Sequence, residues 1–228
     1  MKASEIYERS NKAFSNYIDL FMKWNHAFSF SKYEGFDEIV ENLIMPSLVT
    51  SQLPQLKTFD RVLDLGSGPG IPGLPLAIAR PDLTVTMLES GEQQVEFMNL
   101  CIRELKLSNC SVLHGRAEEL AHVKGIRETF DIALARSYAP VGIVVETGSA
   151  FVKVGGRILI HSTAERARLL WDLYGNKEYA GCRYAEVVEV VDDRQDEVSY
   201  IFMSFEKVAL TPEDMPRSWK KMKSSPLF

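Results

Sequence analysis

The stretch that decides the fold runs from Arg61 to Ser90: RVLDLGSGPGIPGLPLAIARPDLTVTMLES. Its glycines are too dense for a helix and its apolar residues too many for a loop. RVLDL (61–65) reads as a buried strand and the glycines after it as a turn. GLPLAIAR (73–80) reads as a short helix that tolerates early prolines, and TVTMLES (84–90) as a second strand ending in an acid.

The glycines fit two frames. Gly66, Gly68 and Gly70 give G-x-G-x-G directly after the strand, whereas Gly68, Gly70 and Gly73 give the dinucleotide fingerprint G-x-G-x-x-G. Position selects the first frame. The strand ends at Leu65, so Gly66 opens the turn, and the second frame starts late and is broken by Pro69 and Pro72. Asp64 beside the turn suits a cationic amine and repels a pyrophosphate, which a dinucleotide would set on the helix N-terminus. Glu89 ends the next strand, where an acid accepts hydrogen bonds from ribose hydroxyls. A ligand with a ribose and a positive amino-acid end, S-adenosylmethionine, satisfies both. A dehydrogenase-type nucleotide site and a purely structural turn are the alternatives.

Outward from this unit the chain alternates. GEQQVEFMNLCIRELKL is an amphipathic helix that packs Cys101, CSVLHG a strand, RAEEL a short helix and FDIALARS a fourth strand. VGIVVETGSAFVK is a helix, Gly155-Gly156 turns into the strand RILIH, and AERARLLWDLYG is a helix. Such alternation specifies a parallel sheet with helices on both faces. YAEVVEVV and VSYIFMSFEK, separated by DDRQDE, form a hairpin, so at least one terminal strand is antiparallel. Upstream, Ser4 to Phe28 reads as one helix with Phe14, Tyr17, Phe21, Trp24 and Phe28 along one face. That stripe packs on the main domain, with a base-stacking surface as the alternative. FDEIVENLIMPSLVTSQL is a second helical segment, interrupted near Pro46. The expected organisation is a helical cap over 1–55, an α/β domain over 56–210, and a basic tail over 211–228 with little periodicity.

The 228 residues are 46% hydrophobic and 25% charged, an ordinary globular balance. Three cysteines without metal spacing, a polar start without the apolar core of a signal peptide, and no apolar run of membrane length point to a cytoplasmic protein with no metal and no membrane partner. A net charge of −5 weighs against a nucleic-acid partner but leaves room for a local basic face. A monomer is expected.

In order, DLGSGPGIPGLPLAI (64–78), LES (88–90), GRAEEL (115–120) and FDIALARS (130–137) resemble the bacterial glucose-inhibited division protein B family, RsmG. The PGIPG continuation is its most specific part, and KWN (23–25) and MPR (215–217) echo the family's flanks. The resemblance implies a class I S-adenosylmethionine-dependent methyltransferase, Rossmann-like with a terminal antiparallel hairpin, that acts on guanine N7 of small-subunit (16S) ribosomal RNA. It places Gly66 and Ile71 along the cofactor, with Gly68 and Gly70 shaping the turn. It also implies that Glu89 holds the ribose, that Ala117 and Glu118 sit beside the adenine, and that Arg136 faces both cofactor and substrate as a positioning residue. ARSYAP (135–140) lacks the Asn/Asp-Pro-Pro-aromatic motif of exocyclic-amine methylation.

RNA contact is expected from Tyr138, Arg217, Trp219, Lys220, Lys221 and Lys223, where basic residues interleave with an aromatic. Departures from the family pattern fall at Ser29-Phe30-Ser31, Asn42 to Leu48, Gln93, Gln94, His161-Ser162 and the tail. They keep two other readings open: a diverged paralogue methylating a small molecule or protein, and a nonenzymatic S-adenosylmethionine-binding module.

Overall fold

The computed structural model describes residues 2–58, 60–192, 194 and 199–228. The N-terminal aromatic run forms two helices, α1 (Ala3–Arg9) and α2 (Asn11–Phe28), where one was expected. Ser10 leaves the helical region at φ −108° and ψ 17°. The Ser-Asn pair supplies no apolar contact to hold the helix straight, and both residue types readily leave helical geometry. The kink lets α1 bury Ala3 and Ile6 while α2 buries Phe14, Tyr17 and Phe21.

The segment around Pro46 is widened rather than interrupted. Helix α3 (Phe36–Ile39) passes through a π turn (Val40–Ile44) into α4 (Met45–Thr50). Pro46 has no N–H and its ring crowds the preceding turn, so the extra residue per turn accommodates it without ending the helix.

Strand β1 (Arg61–Leu65) leads into α5 (Gly73–Ala79), β2 (Thr84–Glu89), α6 (Glu92–Glu104), β3 (Cys110–His114) and α7 (Ala117–Leu120). Then come β4 (Phe130–Ala135), α8 (Val141–Ser149), β5 (Val152–Ser162), α9 (Ala164–Tyr174), β6 (Glu178–Tyr179), β7 (Cys182–Val191), β8 (Ser199–Lys207) and α10 (Trp219–Ser224). The strands form one sheet in the order β3-β2-β1-β4-β5-β8-β7-β6. β1 to β5 are parallel, and β8 inserts antiparallel between β5 and β7, as the expected hairpin requires. The two-residue β6 is an addition the sequence did not signal. Gly155-Gly156 lies inside β5, not ahead of it: the pairing jumps from Phe130–Val152 to Ile132–Arg157, a bulge that absorbs the glycines.

Period-2 alternation assigns each strand's side chains to a face. Val62, Ile132, Leu134 and Leu159 share a core with the N-terminal helices. Leu63, Leu65, Ala133, Ala135, Ile158 and Ile160 share another with residues of α8 and α9. Both faces are therefore covered, as a parallel sheet requires. The first core is continuous across residue 55, with Tyr17 and Phe21 centred 6.2 and 6.0 Å from the ring of Phe97 on α6. Phe28, the last of the aromatic stripe, is 47% exposed.

The C-terminal segment is not a loose basic arm. Arg127 donates to the carbonyls of Thr211, Pro212 and Met215 at 3.0, 2.9 and 2.9 Å. Lys207, fully buried, reaches Glu128 at 2.8 Å and also bonds the Thr211 hydroxyl. Arg217 grips the buried Glu146 of α8 through Nε at 2.8 Å and Nη2 at 2.5 Å. Phe228 closes the segment, centred 4.9 Å from Tyr174 and 4.8 Å from Tyr179.

Arg217→Met leaves the Glu146 carboxylate buried without a countercharge, so unfolding free energy should fall by about 3 kcal/mol. Replacing both residues, Glu146→Gln with Arg217→Met, should recover part of the loss. Urea denaturation of the two variants checks this, and equal stability of Arg217→Met and the parent would show that the pair does not anchor the segment.

Candidate active site

The strand order reverses between β1 and β4, so the loops after these two strands diverge and leave a crevice at the sheet's C-terminal edge. The turn after β1 enters it through left-handed backbone, Gly66 at φ +65° and Gly68 at φ +54°. Both conformations strain any residue with a Cβ. Gly66 also lacks room: a Cβ there would lie 2.2 Å from Cδ2 of Tyr138. Gly68 is open, with no atom within 4 Å of the position its Cβ would take, so its bare backbone faces free space. Gly70 sits behind the turn against Leu74 and supports it from inside.

Asp64 lies beneath the turn, 1% exposed. Its Oδ2 accepts from the Gly73 N–H at 2.9 Å, and Oδ1 is buried without a hydrogen-bond partner. Burial pushes the carboxyl up to about 7, against the pull of the Gly73 N–H. Asp64 is thus a brace between β1 and α5 with one buried carboxyl oxygen left unpaired. Glu89 at the end of β2 is held by three amides: Gly68 N–H on Oε2 at 2.9 Å, and Ser90 and Gly91 N–H on Oε1 at 2.7 and 2.9 Å. A carboxylate has about four acceptor positions, so little of Glu89's capacity remains for two ribose hydroxyls.

Two clefts meet at this turn and share Gly66 and Ser137. The first, about 300 Å³, is lined by Leu88, Glu89, Ser90, Gly115, Arg116, Ala117, Glu118, Tyr138 and Trp219 besides the shared pair. The second, about 450 Å³, contains Gly68, Ile71, Arg136, Tyr33 and Phe30. The residues expected around a cofactor therefore divide. Glu89, Ala117 and Glu118 stand in the first cleft, Gly68, Ile71 and Arg136 in the second, and Gly66 joins them. This fits an extended ligand with an adenosine end and an amino-acid end, with free space over Gly68 where a side chain would intrude.

Glu118 is 9% exposed and receives Arg116 Nε at 2.8 Å. Arg136 follows β4; its Nη2 donates to the Asn42 carbonyl at 2.8 Å, while Nη1 is buried without a partner. Burial lowers its pKa from the ordinary arginine value. The β4–β5 register pairs Ala135 with Ile160, which brings His161 alongside Arg136. Burial and then the Arg136 charge lower His161 to about 4, so the ring is neutral, packed edge-on 4.5 Å from Phe202.

The residues expected to meet RNA also divide. Lys220, Lys221 and Lys223 are exposed on α10. Tyr138 and Trp219 line the first cleft instead of pointing outward. Arg217 is occupied by Glu146, because a carboxylate buried in α8 needs a countercharge more than solvent does. Sequence reasoning missed Ser137, which stands in both clefts in a left-handed conformation at φ 58°, and Asn42, whose carbonyl holds Arg136. The serine was visible in FDIALARS, but its backbone angle was not. The Asn42 contact spans 94 residues and has no local signal.

The folded Asp64 carboxyl keeps its proton up to about pH 7, the unfolded one only to about pH 4. The contribution of Asp64 to stability therefore falls as pH rises across that window. Asp64→Asn cannot ionise, so its stability relative to wild type should rise from pH 4.5 to pH 8. Urea titrations at the two pH values read the difference, and the opposite trend would show that the site favours the carboxylate.

Among the described residues no cluster of histidine, cysteine and carboxylate side chains could hold a metal ion, and no helix is long and apolar enough to cross a membrane. The fold is shared with a putative S-adenosyl-L-methionine-dependent methyltransferase from Methanococcus maripaludis: TM-score 0.53, 17% identity, 76% of this chain and 90% of that one. Two curated relatives carry the name ribosomal RNA small subunit methyltransferase G. The protein of Caldanaerobacter subterraneus is 33% identical over 94% of this chain and 89% of its own length. That of Lachnoclostridium phytofermentans is 34% identical over 98% and 92%. The family model described as rRNA small subunit methyltransferase G matches residues 10–176, and the chain belongs to that family.

Proposed function

We propose that this protein transfers the methyl group of S-adenosylmethionine to N7 of a guanine in small-subunit ribosomal RNA. The observation that carries the reading is the meeting of two clefts over Gly66 and Ser137, at the point where the strand order reverses. The first cleft takes the adenosine, the turn over Gly68 takes the amino-acid end, and the acceptor base approaches from the Arg136 side. S-adenosylmethionine supplies an electrophilic methyl on a sulfonium.

Guanine N7 carries a free lone pair. That pair forms the new N–C bond, the S–C bond breaks with its electrons left on sulfur, and no proton moves. Catalysis therefore rests on alignment and on the local field, not on a general base. The residues suit this. Asp64 is sealed under the turn, Glu118 is engaged by Arg116, and His161 is neutral and packed against Phe202. Arg136 has one N–H group fixed by Asn42 and another free to donate. A guanine approaching with N7 foremost presents O6 beside it as an acceptor. We assign Arg136 to hold the acceptor edge, with Lys220, Lys221 and Lys223 meeting phosphates.

The test is methyl transfer from labelled S-adenosylmethionine to small ribosomal subunits and to their naked RNA, from a strain lacking its own enzyme, with the modified base mapped. Label at one guanine N7 is expected, and the better of the two substrates shows whether the acceptor is the assembled particle. Intact cofactor binding with no label on either RNA would overturn the acceptor. Arg136→Ala should lower turnover about 100-fold, the scale of losing one positioned donor, while cofactor affinity changes far less. Equal losses in both would place Arg136 on the cofactor.

A further inference from the structure

Trp219 was expected in an RNA-binding tail, but it stands in the first cleft with Glu89, Ala117 and Glu118. An unbroken run of contacts leads from the glycine turn to its indole. Tyr138 lies directly over the bare Cα of Gly66, where a Cβ would collide with its ring. Trp219 is centred 6.1 Å from Tyr138, and the Arg116 guanidinium lies 5.9 Å from the indole. Arg116 is in turn fixed by Glu118 at 2.8 Å. Gly66, Tyr138, Trp219, Arg116 and Glu118 thus make one arc around the cleft.

The indole is only partly buried by the protein, although its neighbours in the chain are firmly placed. Arg217, two residues earlier, is bound to Glu146, and Met222, one turn later, is fully buried. On α10, Trp219 and Met222 are three residues apart and share the inward face, while Lys220, Lys221 and Lys223 are exposed. An aromatic ring that lines a cleft of about 300 Å³ with part of its surface left open, held in place by such anchors, is a platform for a flat heteroaromatic ligand.

We propose that Trp219 is a cofactor-binding residue: its indole forms the outer wall of the adenosine cleft, so the C-terminal segment completes the S-adenosylmethionine site. This rests on the reading of the first cleft as the adenosine side. It also places the wall and the three exposed lysines on one short helix. A phosphate held on the lysines and an adenine held on the indole would then secure the same six residues, Trp219–Ser224.

The experiment uses the full chain and S-adenosylhomocysteine as the probe. By calorimetry, Trp219→Ala should bind about tenfold more weakly and Trp219→Phe should retain most of the affinity, as loss and conservation of an aromatic wall require. The chain has three tryptophans, Trp24, Trp171 and Trp219, so the fluorescence change on binding should disappear in Trp219→Phe. Unchanged or tighter binding by a Trp219→Ala protein with native melting would overturn the proposal, and so would an undiminished fluorescence change in Trp219→Phe. Gly66→Val separates this from failure of the cleft itself. If that variant loses affinity while Trp219→Ala does not, the wall alone is wrong. If neither loses affinity, the cleft assignment falls as well.

Discussion

The absence of a side chain at Gly66 is the constraint on which the site depends. Its left-handed backbone turns the chain out of β1, and its N–H returns to the carbonyl of Leu88 at 2.9 Å, tying the turn to β2. Its empty Cβ position is taken by Tyr138, which ties the same turn to the loop after β4. One residue therefore joins three strands at the place where the strand order reverses. Asp64 secures the turn from below by holding the N-terminus of α5, and Glu89 secures it from the side through Gly68. The protein spends two carboxylates on shaping the turn. The ligand then meets backbone and a few spare acceptor positions instead of free charges.

Much of this was legible in the sequence because the signals are local. The order strand, glycine turn, helix and strand ending in an acid lies within thirty consecutive residues, Arg61 to Ser90. Strands alternating with helices announced a parallel sheet with helices on both faces, and the two cores lie on those faces. The misreadings share a cause: each depends on partners distant in the chain or on backbone angles that composition does not encode. Ser10 breaks the first helix so that two faces can bury. Pro46 is absorbed by a wider turn where an interruption was expected. Gly155-Gly156 forms a bulge because the partner strand β4 is shorter in register.

The C-terminal segment shows the same limit most clearly. Read alone, 211–228 is prolines and lysines without periodicity. Its structure is imposed from outside by Arg127, Glu128, Glu146 and the aromatic pair Tyr174 and Tyr179, all at least thirty residues away in sequence. Three of these contacts involve charge, and their physics accounts for the misreading of Arg217. A cluster of positive residues in sequence is not a cluster of available charge in space. Glu146 has no exposed surface, so the nearest guanidinium is drawn in to balance its charge. Lys220, Lys221 and Lys223 face outward and take part in no ion pair among the described residues.

This division of charge bears on how a chain of net charge −5 meets ribosomal RNA. Affinity for phosphate depends on the local field within about a Debye length, not on the total. The structure neutralises many of its cations internally, as Arg80 with Asp82, Arg194 with Glu41 and Asp192, and Arg217 with Glu146 show. The exposed lysines of α10 stand on the same short helix as Trp219, beside the first cleft, so attraction is concentrated near the proposed site. For the proposed transfer to guanine N7, a dense cationic surround at the acceptor would oppose the reaction, because the methylated base is left positively charged. One charged guanidinium held by the Asn42 carbonyl, a neutral His161 and a turn lined by backbone dipoles form a restrained environment suited to a product that gains charge. Strong positive charge on the rim and little of it at the centre serve opposite demands, one on binding and one on transfer.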